Sequence, residues 1–213
     1  NGVIGKAELG KVLNLLLHYS IRRLICEIGS NSLRGLYKTL YSRVFAREEN
    51  KTHYYDSIVS FMLQMTSKDA IPSDADFVQA LKDGNLYRKN ALCKYLLAAI
   101  ENQGKEKLVT DNLTIEHIMP QHLTPAWQKA LGDDFEQIHD TWLHRIANLT
   151  LTAYNSKYSN STFEEKKTMQ NGFDDSGIRM NTWIAKKDKW TLAELEERSA
   201  YLSHTLIPAE QEQ

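Results

Sequence analysis

Apolar side chains recur at helical spacing through the first hundred residues. Leu9, Val12, Leu13, Leu16 and Leu17 form one stripe, and Gly29 ends the run. Ser30-Asn31-Ser32 offers caps for a second helix with the stripe Leu33, Leu36, Tyr37, Leu40 and Val44, and Arg34 and Lys38 sit one turn apart away from it. A third helix is predicted over residues 52–67, on Tyr55, Ile58, Val59 and Met62. Pro72-Ser73-Asp74 starts a fourth, which Gly84 stops, and a fifth runs from Leu86 to Asn102 on Leu92, Tyr95, Leu96, Ala99 and Ile100. Five helices with short connections predict a helical bundle over residues 1–104.

The pattern changes after the polar run Gln103-Gly104-Lys105-Glu106-Lys107. Leu113–Met119 is a short β-type run stopped by Pro120, and Leu149–Thr152 is a second. The second leads directly into a polar helix predicted from Asn155 to Met169. Helical material lies between the runs, at Ala126–Leu131 and Phe135–Ile146, and a last helix, Trp190–Leu206, takes Thr191 as its cap. The fold class expected is mainly α (α+β). Residues 1–104 form the bundle, and residues 105–213 form a lobe built round a strand–loop–strand–helix element. Trp127, Trp142, Trp183 and Trp190 are expected in the core.

Charge separates the same two stretches. The 213 residues carry a net charge of −1, but residues 1–104 hold 14 basic and 10 acidic side chains, a balance of +4, and residues 105–213 hold 12 and 17, a balance of −5. A basic half joined to an acidic half fits a molecule whose grip on a polyanion and whose cation site lie apart. Arg22, Arg23, Arg34 and Lys38 are the candidates for touching phosphate. No apolar run approaches the ~18 residues of a membrane span, and the first residues have no secretory pattern, so a cytoplasmic chain is expected. Because it starts Asn1-Gly2-Val3, the chain reads as a fragment of something longer. Cys26 and Cys93 are far apart and outside any CxxC, which argues against a cysteine zinc site.

The unusual polar residues gather on the strand–loop–strand–helix stretch. Glu116-His117 lies on the first strand, where alternation turns the two side chains to opposite faces. Asn148 opens the second strand, Asn155 and Asn160 sit at the head of the helix, and Lys166 follows. Hydrolysis of a phosphodiester needs a base to activate water, a cation for the developing charge, and a group that holds the base in one tautomer. His117 suits the base, since an ordinary imidazole is neutral at working pH. Glu116 and the Asn155 oxygen are hard ligands suited to Mg²⁺, and Asn148 can offer an amide to orient the ring.

The segments LTIEHIMPQ (113–121) and LHRIANLTLTAYNSKYSNSTFEEKK (143–167) closely resemble the HNH domain at the C-terminus of GmrSD-type modification-dependent restriction enzymes and their SspE-like antiphage relatives. Residues 15–44 look like the helical region that precedes the nuclease, and residues 176–202 like the C-terminal segment. The resemblance implies an HNH (ββα-metal) endonuclease or nickase that cuts DNA in antiphage defence, with Mg²⁺ or Mn²⁺ as cofactor. By position it implies His117 as general base, Glu116 and Asn155 as metal residues, and Asn148 as the residue that positions the histidine. Asn160, Lys166 and Arg145 match further family positions, in support or phosphate contact. The whole relatives carry an N-terminal ParB-like NTPase sensor domain, which implies such a partner here. Two departures stand out: Ala147 replaces the usual Gly, and Asn155 stands where many HNH fingers have His.

The other histidines are given no catalytic role. His122 lies past Pro120 as a surface residue, His139 and His144 are expected to be solvated or packed, and His18 and His53 have no carboxylate at a useful spacing. The alternative function is a non-catalytic DNA- or partner-binding helical module with a vestigial site. The intact set Glu116, His117, Asn148 and Asn155 speaks against decay.

Overall fold

The computed structural model describes residues 4–104 and 106–206. The chain divides into two compact units, one up to Ala80 and one from Leu81 onward. In the first, α1 (Lys6–Ile25), α2 (Leu33–Leu40), α3 (Tyr54–Leu63) and most of α4 (Asp74–Asp83) are linked by short turns, and α2 runs on into a single π-turn at Tyr41–Phe45. Val12, Tyr19, Leu36, Leu40, Val44, Tyr54, Ile58 and Met62 make its core. Leu36, Leu40 and Val44 of the predicted second stripe are therefore buried, and Arg34 and Lys38 point to solvent as expected.

The first stripe is a correction. Of its five members Val12 is buried and Leu16 half-buried, but Leu9, Leu13 and Leu17 are exposed, and the buried face of α1 continues through Tyr19, Arg23 and Ile25. On that face Arg23 enters the interior with its charge shared among neutral oxygens. Its guanidinium donates to Tyr19 Oη at 3.1 Å, the Gly29 carbonyl at 2.7 Å, Ser32 Oγ at 3.1 Å and the Lys68 carbonyl. Burying a charge without such partners would cost several kcal/mol, and these four acceptors offset that cost.

The second unit holds α5 (Asn90–Glu101), β1 (Thr114–His117), α6 (Pro125–Leu131), α7 (Phe135–Trp142), β2 (Leu149–Thr152), α8 (Asn155–Tyr158), α9 (Phe163–Thr168), α10 (Arg179–Ala185) and α11 (Leu192–Leu206). Its core gathers Ile118, Met119, Trp127, Tyr158, Phe163, Phe173, Ile184, Trp190 and Leu195, with Trp142 and Trp183 packed at the edge. The two β-type runs pair antiparallel, Thr114 opposite Thr152 and His117 opposite Leu149. This short sheet leads straight into α8, so the strand–loop–strand–helix order read from the sequence is the observed one.

Three helices end earlier than their patterns predict, the third at Leu63 rather than at residue 67. The helix expected to reach Ile146 stops at Trp142. The helix expected over Asn155–Met169 breaks after Tyr158, where Ser159 takes a left-handed φ of 41° and Thr162 starts α9 with a capping box to Glu165. Ser159-Asn160-Ser161-Thr162 offers the backbone four competing side-chain caps, which favours a break over a continuous helix. Among the described residues no helix is long and apolar enough to cross a membrane.

Candidate active site

All the residues singled out on the strand–loop–strand–helix element fall in the second unit, and most line or underlie one cleft of about 210 Å³. Glu116, His117, Asn155 and Asn160 line it, together with Tyr87 and His122, which sequence reasoning left without a role. Larger open grooves of about 590 and 520 Å³ lie in the first unit, but none of the candidate site residues lines them.

His117 ends β1 and is only 5% exposed. Its Nε2 meets His144 Nδ1 at 3.1 Å, and Tyr87 packs edge-on against it with ring centroids 4.4 Å apart. Nδ1 has no hydrogen-bond partner among the described residues. Burial first, and then the charges of His144, Lys166 and His139, pull the imidazole down to about 3. The ring is therefore neutral at physiological pH, the state a general base needs before it acts.

Glu116 points to the other face, as strand alternation requires, and meets Lys166 Nζ at 2.6 Å. Lys166 is fully buried and also donates to the His117 carbonyl at 2.7 Å. Burial pushes the Glu116 carboxyl up and the Lys166 ammonium down, and their mutual attraction opposes the shift in each. Of the two roles left open for Lys166, the geometry is that of support: a lysine with no exposure cannot reach a phosphate outside. Arg145 is likewise engaged, with Asp83 at 2.8 Å and over the Trp142 ring at 4.8 Å.

Asn148 does not touch the His117 ring, which corrects the expectation that its amide orients the imidazole. It is buried and fully satisfied instead. Its Nδ2 donates to the carbonyls of Met119 at 2.9 Å and Leu143 at 3.1 Å, and its Oδ1 accepts from the Met119 amide at 2.8 Å and Trp190 Nε1 at 3.2 Å. Two donors and two acceptors are all a carboxamide has. Asn148 thus closes the turn that follows β1. Ala147 lies in a short right-handed 3-10 turn, Ile146–Asn148, where alanine is at no disadvantage to glycine.

Further residues outside the sequence reading brace this turn, β2 and the start of α10. The buried Arg198 of α11 donates to the carbonyls of Ala147 and Leu149, each at 2.8 Å, and burial pulls its guanidinium down to about 9. Asn181 of α10 donates to the Leu151 carbonyl at 3.0 Å and accepts from Thr150 Oγ1. Glu101 accepts from the first amides of α10, Arg179 at 2.8 Å and Met180 at 3.0 Å. Single Arg, Asn and Glu residues in helical patterns carry no local signal of this role, since their partners are 30 to 80 positions away in the chain.

Asn155 heads α8 and donates through Nδ2 to the Ile115 carbonyl at 2.7 Å. That bond ties α8 to β1 and leaves Oδ1 with no protein partner among the described residues. His122 is exposed, as expected, yet lines the cleft. His139 donates through Nε2 to the Pro120 carbonyl at 3.0 Å.

Among the described residues no group of three or more His, Cys, Asp or Glu side chains is placed to hold a metal ion. A closed zinc site with four protein ligands does not fit such a set. A hard divalent cation that keeps several waters asks less of the protein, one or two oxygens with the rest of the shell from solvent or phosphate. The second Glu116 oxygen and Asn155 Oδ1 are the protein donors of that kind.

The candidate phosphate contacts of the first unit divide sharply. Arg23 is buried, and Arg22 is taken up by Asp74, the Pro72 carbonyl at 3.0 Å and the Phe77 ring. Both depart from the expected solvent-facing cations. Arg34 and Lys38 remain exposed on α2.

The family model for the C-terminal domain of GmrSD restriction endonucleases matches residues 71–205. The match takes in every residue of the cleft and well over half of the chain. The protein belongs to this family. A comparison with curated proteins finds no match. The GmrSD C-terminal domain thus places the cleft within a restriction-endonuclease family, and within that domain lie the hairpin, the His117–His144 contact and the buried Glu116–Lys166 pair.

Proposed function

We propose that the second unit is an HNH-type, ββα-metal nuclease that hydrolyses DNA phosphodiesters with Mg²⁺ or Mn²⁺. The observation that carries this reading is a buried histidine at the end of β1, with one ring nitrogen unpartnered among the described residues, beside a cleft that Glu116 and Asn155 also line. His117 Nδ1 takes the proton of the attacking water. Glu116 and Asn155 would hold the cation, which when bound would supply positive charge against the phosphate and the departing oxygen. Asn160 and His122, exposed at the rim, face the bound strand. Lys166 keeps Glu116 and the His117 carbonyl at fixed places, and Asn148 fixes the turn beyond them.

The substrate class follows from the family, whose members restrict DNA, and the role is antiphage defence in the bacterial cytoplasm. Arg34 and Lys38 add phosphate contacts that carry no sequence information. Recognition of modified DNA belongs to an NTPase sensor domain, the partner expected from the family resemblance. The testing experiment is relaxation of supercoiled plasmid by the 213-residue chain with Mg²⁺, with Mn²⁺ and with EDTA. Nicking or linearisation with either cation, abolished by EDTA, is the expected result, and cleavage indifferent to EDTA would remove the metal from the reading.

A further inference from the structure

We propose that His144 is the positioning residue of the base: its Nδ1 accepts the His117 Nε2–H and so holds His117 in the tautomer whose Nδ1 lone pair is free. The inference rests on the assignment of His117 as base, and it concerns a residue that the sequence left as solvated or packed.

The two rings meet at 3.1 Å between Nε2 and Nδ1, with planes 66° apart. Two neutral imidazoles share one proton along such a line, so only two arrangements exist. If His144 donates, His117 must carry its own proton on Nδ1 and keeps no lone pair for water. If His117 donates, Nδ1 is open and can act. Only the second arrangement makes a base. Once Nδ1 has taken a proton, both nitrogens of His117 carry hydrogen, and the Nε2–H then needs an acceptor within reach. His144 Nδ1 is at that place. The logic is that of any base held in its working tautomer by a third group.

His144 is itself gripped in three ways. The amides of Leu86 and Tyr87 donate to its carbonyl at 3.1 and 3.4 Å. The neighbouring Arg145 is paired with Asp83 at 2.8 Å. The Tyr87 ring lies flat on the His144 ring, 10° from parallel, while meeting His117 edge-on. Simple packing would be served by any flat ring here, whereas the aimed nitrogen serves only a hydrogen bond. His139 does not compete for the role, because its Nε2 is committed to the Pro120 carbonyl.

Two variants separate the acceptor from the ring. His144→Phe keeps a flat surface for Tyr87 and removes the acceptor. His144→Asn gives up the ring and can place an amide oxygen near the Nδ1 position. Plasmid cleavage with Mg²⁺, thermal melting and ¹⁵N NMR of the His117 ring nitrogens are measured on the 213-residue chain. His144→Phe should lose about 10²-fold in kcat with KM and melting little changed, and its His117 signals should move toward the Nδ1–H form. His144→Asn should regain at least about tenfold of that loss. A His144→Phe enzyme within about twofold of wild type, with His117→Ala inactive, would overturn the positioning role and leave the base assignment standing. Cleavage that survives His117→Ala would instead remove the base itself. The tautomer is read without catalysis, so even a chain that cuts nothing decides the matter. A wild-type Nε2–H form that His144→Phe loses supports the inference, and one that it leaves unchanged refutes it.

Discussion

Replacing Lys166 by methionine tests how the site is built. In the folded protein Lys166 Nζ holds Glu116 at 2.6 Å and the His117 carbonyl at 2.7 Å, and neither Lys166 nor Glu116 is meaningfully exposed. Methionine fills most of the lysine stem but supplies no donor, so the carboxylate is left buried and alone. Removing one partner of a buried pair costs about 3–5 kcal/mol, because the remaining charge keeps its desolvation penalty and loses its compensation. For a folding unit of this size that corresponds to a fall in melting temperature of roughly 10–20 °C at pH 7. The sign of the pH dependence is also set. Without the ammonium, burial alone acts on Glu116 and raises its folded pKa further above the unfolded value. The neutral carboxyl is then the tolerated form, so the variant is least handicapped below the unfolded pKa and loses stability as pH rises through the folded one. Urea unfolding of wild type, Lys166→Met and Lys166→Met/Glu116→Gln at pH 5 and pH 8 measures all of this. The double variant should recover much of the loss. A single variant less than about 1 kcal/mol below wild type at pH 8 would refute the buried pair as described.

Three further outcomes follow from the geometry. The neutral His117 must gain a proton when the chain unfolds in acid; with its folded pKa near 3, stability is full above about pH 6.5 and lost toward pH 3 at up to about 1.4 kcal/mol per unit. Urea midpoints of wild type and His117→Gln at pH 7 and 5 should therefore converge on acidification, and parallel pH responses would contradict a neutral buried ring. Asn148→Ala orphans the Met119 amide and carbonyl, the Leu143 carbonyl and Trp190 Nε1, a loss of roughly 3 kcal/mol or more in urea unfolding, and a change under about 1 kcal/mol would mean that the turn is held otherwise. Arg34→Glu/Lys38→Glu should weaken DNA binding on any duplex and lower the salt slope by about one unit per lost contact, while an unchanged slope would make both residues ordinary solvated cations.

What the sequence made legible was local. Strand β2 and the start of β1 follow from β-branched runs bounded by polar residues and Pro120, and Glu116 and His117 had to face opposite ways once they shared a strand. The helices of the first unit were legible in position but the orientation of α1 only in part: Val12 and Leu16 face the core, whereas Leu9, Leu13 and Leu17 do not, and the buried Arg23 with its carbonyl partners lies off the leucine stripe. Asn148 was recognisable as a site residue, but its action was not, since its partners are backbone groups of a turn 29 positions earlier and a tryptophan 42 positions later. His144 was hidden for a related reason. It and His139 differ by five positions, a spacing without helical meaning, and only the closed hairpin brings His144 to His117. Lys166 carried no sign of burial, because a lysine on a polar helix reads as solvated until a strand is laid over it.

The most direct test of His117 as the base of a metal-dependent nuclease is the rate of plasmid cleavage by His117→Ala with Mg²⁺, set beside wild type prepared in the same way and with its helical circular dichroism intact. Loss of the base predicts a fall of about 10²-fold or more, with EDTA abolishing the wild-type activity. A His117→Ala protein that keeps more than roughly a tenth of the wild-type rate would contradict the assignment and leave the cleft without its chemistry.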